Sequence, residues 1–220
     1  MEVPLSQPNV EQKKPVEQYG VFPKEIKEKM GDNYWFITLR PEQMKDLKGI
    51  TLLPENFIKK EKDIEDYTDS LDEETSLSGQ VAVLKNLVRV SWHEPKTADQ
   101  MEELVAESGK SLNIKGVSAI LGNATTYANI YSTLYEKMIK EAPILVDLTE
   151  SNGHRNELLP TKSRTKTGNV IDMSSSLVGV HTKFAPRYVA HFWEKFTTQR
   201  QYDRALPIFV YQEPSKAQQA

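Results

Sequence analysis

Three residues of the types that perform acid–base chemistry, Asp147, Glu150 and His154, stand close together in this 220-residue chain. They follow an apolar run, Ile144 to Leu148, that predicts a buried strand. Acids at the end of a strand often face ligands in α/β folds, and a carboxylate with an imidazole could support hydrolysis. Ordinary loops carry the same residue types, so we assign no catalytic residue and place a hydrolase last among three functions.

Motifs for metals and cofactors are missing from the sequence. The chain has no cysteine, which excludes disulfides, thiolate ligands for zinc or iron–sulfur clusters, and a thiol nucleophile. Its four histidines do not form a His-Glu-x-x-His motif. The stretch from Gly116 to Gly122 lacks both the Lys-Ser/Thr of a P-loop and the third glycine of a dinucleotide fingerprint. We therefore predict no cofactor and no metal.

A basic segment between Leu158 and Ile171 is the most informative local pattern. No acid separates Lys162, Arg164 and Lys166, and Gly168-Asn169 supplies a turn. In a strand these bases share one face, and the other face carries Thr161, Ser163, Thr165 and Thr167. We predict a basic hairpin over residues 158–184. Its cations could bind an acidic neighbour or phosphates, or could simply protect an exposed edge strand from aggregation.

Charge is unevenly distributed, although the net charge is only -3. Residues 61–74 hold eight acids and one base, whereas residues 151–200 hold eight bases and three acids. This polarity is suited to head-to-tail association of copies or to an anionic partner. The predicted interaction residues are Lys162, Arg164, Lys166, Arg187 and Arg200 on the basic side and Glu61, Asp63, Glu65 and Asp66 on the acidic side.

Tyr127, Tyr131 and Tyr135 are spaced four residues apart in the strongest predicted helix, residues 123–141. This spacing places the three rings on one side of the helix. Core packing is the favoured interpretation, an interface comes second because tyrosine is apolar at one end and polar at the other, and stacking on nucleic acid bases comes third. The three tyrosines are kept as candidate interaction residues.

The periodicities predict an α+β fold, with a central sheet, three main helices, an extended N-terminal arm and the basic β-hairpin. Thr97 and Gln100 form a capping box that begins a helix, and Gly109 is predicted to end it. The predicted helices are 24–30, 98–108, 123–141 and 187–204, and the predicted strands or strand-like runs are 34–39, 50–53, 80–93, 112–121, 144–148, 169–184 and 208–211.

The composition divides the chain into three parts. Residues 1–23 are rich in proline and glutamine and predict an extended arm. Residues 24–211 form the mixed domain, with an acidic loop at 61–78 and the basic hairpin, and residues 212–220 form a polar tail. The apolar runs are far shorter than the ~18 residues of a membrane span, and the first residues do not resemble a secretory signal. We expect a cytoplasmic protein, or a virion protein if the source is viral.

Three functions are consistent with these features. The first is a structural subunit of a larger particle, such as a virion or phage component, whose partners are other copies of itself or neighbouring subunits. The second is a nucleic-acid-binding protein that contacts phosphates through the basic hairpin. The third is the hydrolase considered above. No membrane partner is expected.

Overall fold

The computed structural model describes residues 16–47, 50–51, 74–91, 93–142, 145, 159–164, 170–176, 188–193 and 201–213, with the backbone alone at 50–51, 135, 171–176 and 188–193. The fold is mixed α+β, as the sequence predicts. Its helices are α1 (Lys24–Met30), a 3-10 turn (Met44–Asp46), α2 (Ala98–Ser111) and α3 (Ala124–Glu141). Its strands are β1 (Gln18–Tyr19), β2 (Tyr34–Leu39), β3 (Ile50–Thr51), β4 (Ser78–Leu84), β5 (Val88–Arg89), β6 (Val117–Ile120), β7 (Leu159–Arg164), β8 (Val170–Ser176), β9 (Tyr188–Trp193), β10 (Arg204–Ala205) and β11 (Ile208–Tyr211).

Strand β4 is the centre of the main sheet. It pairs antiparallel with β2 on one side and with β11 on the other, and β11 pairs antiparallel with β6. Strand β1 pairs in parallel with the start of β4, beyond the end of β11. Val81, Ala82 and Val83 of β4 are fully buried, because both faces of the sheet are covered.

Helices cover the two faces of this sheet. The Trp35 indole of β2 donates to Glu141 at the end of α3, which places α3 on the face that bears Trp35. On the other face, the Lys27 ammonium of α1 lies 5.4 Å from the Phe36 ring centre, and α2 packs against Ala119 of β6. The side-chain alternation of the strands therefore separates the α3 face from the α1 and α2 face.

A second sheet has the order β3-β9-β8-β7, with β3 parallel to β9 and the other pairs antiparallel. Strands β7 and β8 form the predicted hairpin, with a register irregularity between Pro160 and Arg164. The outer edge of β7 faces the loop that precedes α3, since the Lys162 N–H donates to the Gly122 carbonyl oxygen at 2.9 Å. This contact joins the two sheets. Strands β5 and β10 form a separate antiparallel pair.

The predicted helix over 187–204 is wrong, because Tyr188–Trp193 is strand β9 and Arg204 belongs to β10. The apolar residues of this segment fit a helical spacing, but its aromatic and β-branched residues also favour a strand. Five register pairs with β8 and two with β3 determine the outcome. Such pairing is not visible in local periodicity. The described residues of this segment, 188–193 and 201–204, contain no helix.

Two other boundaries differ from prediction. Helix α2 continues through Gly109 to Ser111, and the predicted strand 112–121 is reduced to β6 because Asn113 and Gly116 adopt positive φ angles of 51° and 82°. Strand β4 begins at Ser78, within the predicted acidic loop, of which residues 61–73 lie outside the described part. Of the predicted strand 144–148 only Leu145 is described, and its N–H donates to Ala142 O in a turn after α3.

Part of the predicted N-terminal arm lies on the main sheet. Gln18 and Tyr19 pair with Ser78 and Gly79, and the Phe22 ring is 2% exposed. The Phe22 N–H donates to the Gln80 side chain at 3.0 Å. Residues 1–15 of the arm and 214–220 of the tail lie outside the described residues.

Gly109 allows α2 to approach β6, and we expect Gly109→Ala to destabilise the protein. A Cβ atom there would lie 2.3 Å from the Ala119 nitrogen. The overpacking cost of about 1–3 kcal/mol exceeds the ~1 kcal/mol that alanine adds in helix propensity. Urea denaturation should therefore give a lower free energy of unfolding.

Gly20→Ala is the matched control for this substitution. Its Cβ would meet the Tyr211 oxygen at 3.4 Å, an ordinary contact, so its free energy of unfolding should change by less than about 0.5 kcal/mol. If the two variants are equally stable, α2 does not approach β6 this closely.

Candidate interaction surface

A buried polar cluster surrounds the N-terminus of α3. The Glu74 carboxylate accepts hydrogen bonds from the Thr125 N–H at 3.0 Å, from the Thr125 hydroxyl at 2.9 Å and from the Ser163 hydroxyl at 2.5 Å. The Ser163 oxygen in turn accepts from the Ala124 N–H at 2.7 Å, and the Asn123 side chain accepts from the Thr126 N–H at 2.7 Å. These oxygens supply partners for the N–H groups that a helix start leaves unpaired.

This cluster is a helix cap and not a hydrolytic site. A serine beside a carboxylate and two helix N–H groups has some of the parts of a nucleophile with an oxyanion hole. However, the Ala124 and Thr125 N–H groups already donate to Ser163 and Glu74, and Ser163 is 3% exposed. The arrangement stabilises the positive end of the α3 dipole with a carboxylate. It also ties β7 and Glu74 to α3.

We expect Ser163→Ala to lower the free energy of unfolding by about 1–3 kcal/mol, because it leaves the buried Ala124 N–H without its partner and removes one donor to Glu74. Ser118→Ala in β6 is the control, since Ser118 is exposed and its removal should cost less than about 0.5 kcal/mol. Thermal and urea denaturation measure both values. Equal stabilities would contradict the capping role.

The described bases of the hairpin are paired with acids of α2. The Lys162 ammonium lies 2.9 Å from the Glu102 carboxylate, and the Arg164 guanidinium lies 3.2 Å from Asp99. Arg164 also donates to the Thr161 and Ser163 carbonyl oxygens. The face prediction is confirmed within β7, since Lys162 is exposed and Arg164 is half-buried, whereas Thr161 and Ser163 are buried.

Within the described residues, the acidic neighbour of β7 is helix α2 of the same chain. The predicted acidic partner, Glu61, Asp63, Glu65 and Asp66, lies outside the described residues, as do Lys166, Arg187 and Arg200. Two of the five predicted basic interaction residues thus have intramolecular partners, which reduces the positive charge that they can offer to nucleic acid.

Reversal of the Lys162 charge tests this pairing. Lys162→Glu should lower the free energy of unfolding by about 0.2–1 kcal/mol, and the double variant Lys162→Glu with Glu102→Lys should recover most of that loss. Urea denaturation at low and high salt measures both, and salt should reduce the coupling. If the effects of the two single variants are additive in the double variant, the ion pair does not form in solution.

The tyrosine stripe of α3 packs in the core where its side chains are described. Tyr127 is fully buried, and its hydroxyl donates to the Leu206 carbonyl oxygen at 2.6 Å and accepts from the Gly122 N–H at 3.1 Å. Burial raises the pKa of Tyr127 above its usual range. Tyr131 is 2% exposed and donates to Leu145 O. The rings of Tyr127 and Tyr131 therefore lie in the core of the single chain, in agreement with the favoured interpretation. Tyr135 is described by its backbone alone.

The residues of the predicted hydrolytic site are not brought together by any described contact. Asp147, Glu150 and His154 lie outside the described residues, and His93 is exposed after β5. Among the residues that the structure describes, no group of three or more His, Asp or Glu side chains could hold a metal ion. The same residues include no helix long and apolar enough to cross a membrane.

The outer edge of β2 has no paired strand among the described residues of the main sheet. The Lys85 N–H donates to the Asn33 oxygen, so the backbone groups of Asn33 and of every second residue after it face β4. The N–H and C=O groups of Tyr34, Phe36 and Thr38 therefore point away from the sheet. Within the described ranges, no residue forms a hydrogen bond with these groups.

Among the described residues, this edge lacks the usual protection against pairing with another chain. Strand β2 has the sequence Tyr-Trp-Phe-Ile-Thr-Leu, without a charge, proline or glycine, and its six register pairs with β4 run without a bulge. Soluble proteins usually protect edges with such features. At the opposite edge of the sheet, β6 has four residues and α2 packs against it. The sequence predicted β2 as a buried strand but gave no sign that it lies at an edge.

Contacts on both faces hold β2 in place. On the α3 face, the Trp35 N–H donates to the Glu141 carboxylate at 2.8 Å, and Lys85 lies 3.0 Å from that carboxylate and 5.5 Å from the Trp35 ring centre. The hydrogen bond from Trp35, and then the one from Lys85, lower the pKa of Glu141. On the other face, Phe36 packs edge-on against Phe22 at 5.3 Å. The edge is thus preorganised for a partner strand.

Comparison with known proteins identifies no relative: no protein-family model, no curated protein and no solved structure matches the chain.

Proposed function

We propose that this protein is a structural subunit that assembles with other copies of itself or with neighbouring subunits of a larger particle. The observation that carries this proposal is the outer edge of β2, which is uncharged and is left unpaired by the part of the chain that the structure describes. A partner strand added there would satisfy three outward N–H and three outward C=O groups, those of Tyr34, Phe36 and Thr38. Because the strand is fixed by side chains on both faces, little conformational entropy would be lost on pairing.

Exposed apolar side chains near β1 add support for assembly. Val21 is 69% exposed and Val16 is 43% exposed, although the neighbouring Phe22 is buried. Both valines lie in the segment from which residues 1–15 extend, which the sequence predicted to be an arm for subunit contacts. A second surface near the arm is consistent with a subunit that has more than one neighbour.

The nucleic-acid alternative has less support. Its two described cations are engaged by Glu102 and Asp99, and the net charge of the whole chain is -3. A protein that binds through phosphates needs cations that can replace counterions. The hydrolase alternative has no described residue to carry it.

Assembly is tested by light scattering coupled to size exclusion on the full-length chain, over a range of concentrations and at two absorbance wavelengths to detect nucleic acid. We expect an oligomer without nucleic acid. Thr38→Lys should weaken association by about tenfold or more, because it places a charge on the exposed edge residue of β2.

The control is Ser118→Lys, which adds the same charge at an exposed strand residue of the opposite edge. Its mass at each concentration should match that of the unaltered protein. A monomer of 25.1 kDa at every concentration would contradict self-assembly. An oligomer that both lysine variants leave intact would show that β2 is not the contact.

A further inference from the structure

The N–H and C=O groups of β2 that point outward determine how a second copy would pair with this strand. This inference rests on the proposed function. Antiparallel strands align most completely when all of their outward groups pair. For two copies of β2 this occurs when Phe36 lies opposite Phe36 of the second copy, and Tyr34 lies opposite Thr38 of the second copy. Each of these opposed pairs exchanges two hydrogen bonds, and the arrangement is symmetric about a two-fold axis.

A shift of the register weakens this pairing. Moving one strand by two residues places Tyr34 or Thr38 opposite a residue beyond the end of β2, in the turn before it or at the Arg40-Pro41 step after it. A shift by one residue would place each residue whose backbone groups point outward opposite a residue whose backbone groups point back toward β4. The register centred on Phe36 is therefore the one that uses every outward group within the strand.

Charges at the ends of β2 complement each other in the same register. Asp32 stands two residues before the strand and Arg40 follows it, and both are exposed. When Phe36 lies on the axis, the end of β2 that carries Asp32 lies beside the end of the second copy that carries Arg40, and the symmetry repeats this approach at the other end. Opposite charges facing each other across paired strands favour a register, and like charges disfavour it.

We propose that a second copy of this chain binds the open edge through antiparallel pairing of β2 with β2, centred on Phe36, with Asp32 beside Arg40 of the second copy. The main sheets of the two copies then form one continuous sheet across the two-fold axis. The half-buried Phe36 rings lie next to each other on the α1 and α2 face, where each already contacts Phe22. Paired aromatic residues at such a position stabilise neighbouring strands.

Single cysteines test the register, and the chain offers a clean background because it has none. In the proposed pairing the two copies of residue 36 have Cα atoms about 5.5 Å apart, within disulfide range. The two copies of residue 38 are offset by four residues, about 14 Å, and cannot form a disulfide. Under mild oxidation, Phe36→Cys should give a covalent dimer on non-reducing gels, and Thr38→Cys should remain a monomer.

A second design avoids dependence on the Phe36 ring. Tyr34→Cys and Thr38→Cys, each uncross-linked alone, should form a disulfide when the two proteins are mixed, since these residues face each other. Ser118→Cys, on the opposite edge, is the control for random collision and should not cross-link. Circular dichroism and thermal melting establish that each variant is folded before oxidation.

Each outcome separates this inference from the proposed function. Oligomers that depend on Thr38 but give no disulfide in either design would leave assembly intact and overturn the β2 register; the occupant of the edge would then be another segment or another protein. Cross-linking of Thr38→Cys with itself would also overturn it. Disulfides at 36 and between 34 and 38, without cross-linking at 118, would support it.

Discussion

The beginning of helix α3 imposes the constraint on which much of the fold depends. Ala124, Thr125 and Thr126 are almost completely buried, so their N–H groups cannot be hydrated and must find partners in the protein. Asn123 supplies one acceptor locally, but Glu74 and Ser163 supply the others from segments 51 and 39 residues away. Satisfying one helix end therefore draws β7 against the start of α3, where the Lys162 N–H also donates to the Gly122 carbonyl oxygen.

The main sheet is organised differently, by backbone pairing on β4. On one side, β4 pairs with β1 at its start and with β11 further along. On the other side, it pairs with β2 over all six residues of β2. This arrangement buries the centre and leaves the six residues of β2 at the margin. Strand position, and not composition, leaves backbone groups of β2 facing outward, since the same six residues in the middle of a sheet would have no outward backbone groups.

Local patterns predicted most of the elements. The capping box of Thr97 and Gln100 is present, α3 follows Asn123 as expected, and β2 and β11 have the predicted bounds. These features depend on residues a few positions apart. Segment 188–193 was predicted as a helix because the spacing of its apolar residues fits both the helical and the strand period. Only its pairing with β8 distinguishes the two structures. Gly109 was predicted to end α2, but it is glycine because Ala119 lies against it.

The candidate surface was less predictable than the fold. Alternation along β7 gave the faces of Lys162 and Ser163, but not the partners Glu102 and Glu74, which lie 60 and 89 residues earlier in the chain. The open edge of β2 depends on the strand order, which no local pattern encodes.

The pairing of β1 beside β11 has a consequence for how the chain is threaded. The Gly20 N–H donates to the Tyr211 oxygen at 2.9 Å, so the first and last strands of the described chain meet at one point on β4. A short linker could close the backbone into a ring at this point without crossing the domain, as in proteins that tolerate circular permutation. The order in which the described segments follow one another along the chain is then separable from the sheet that they form.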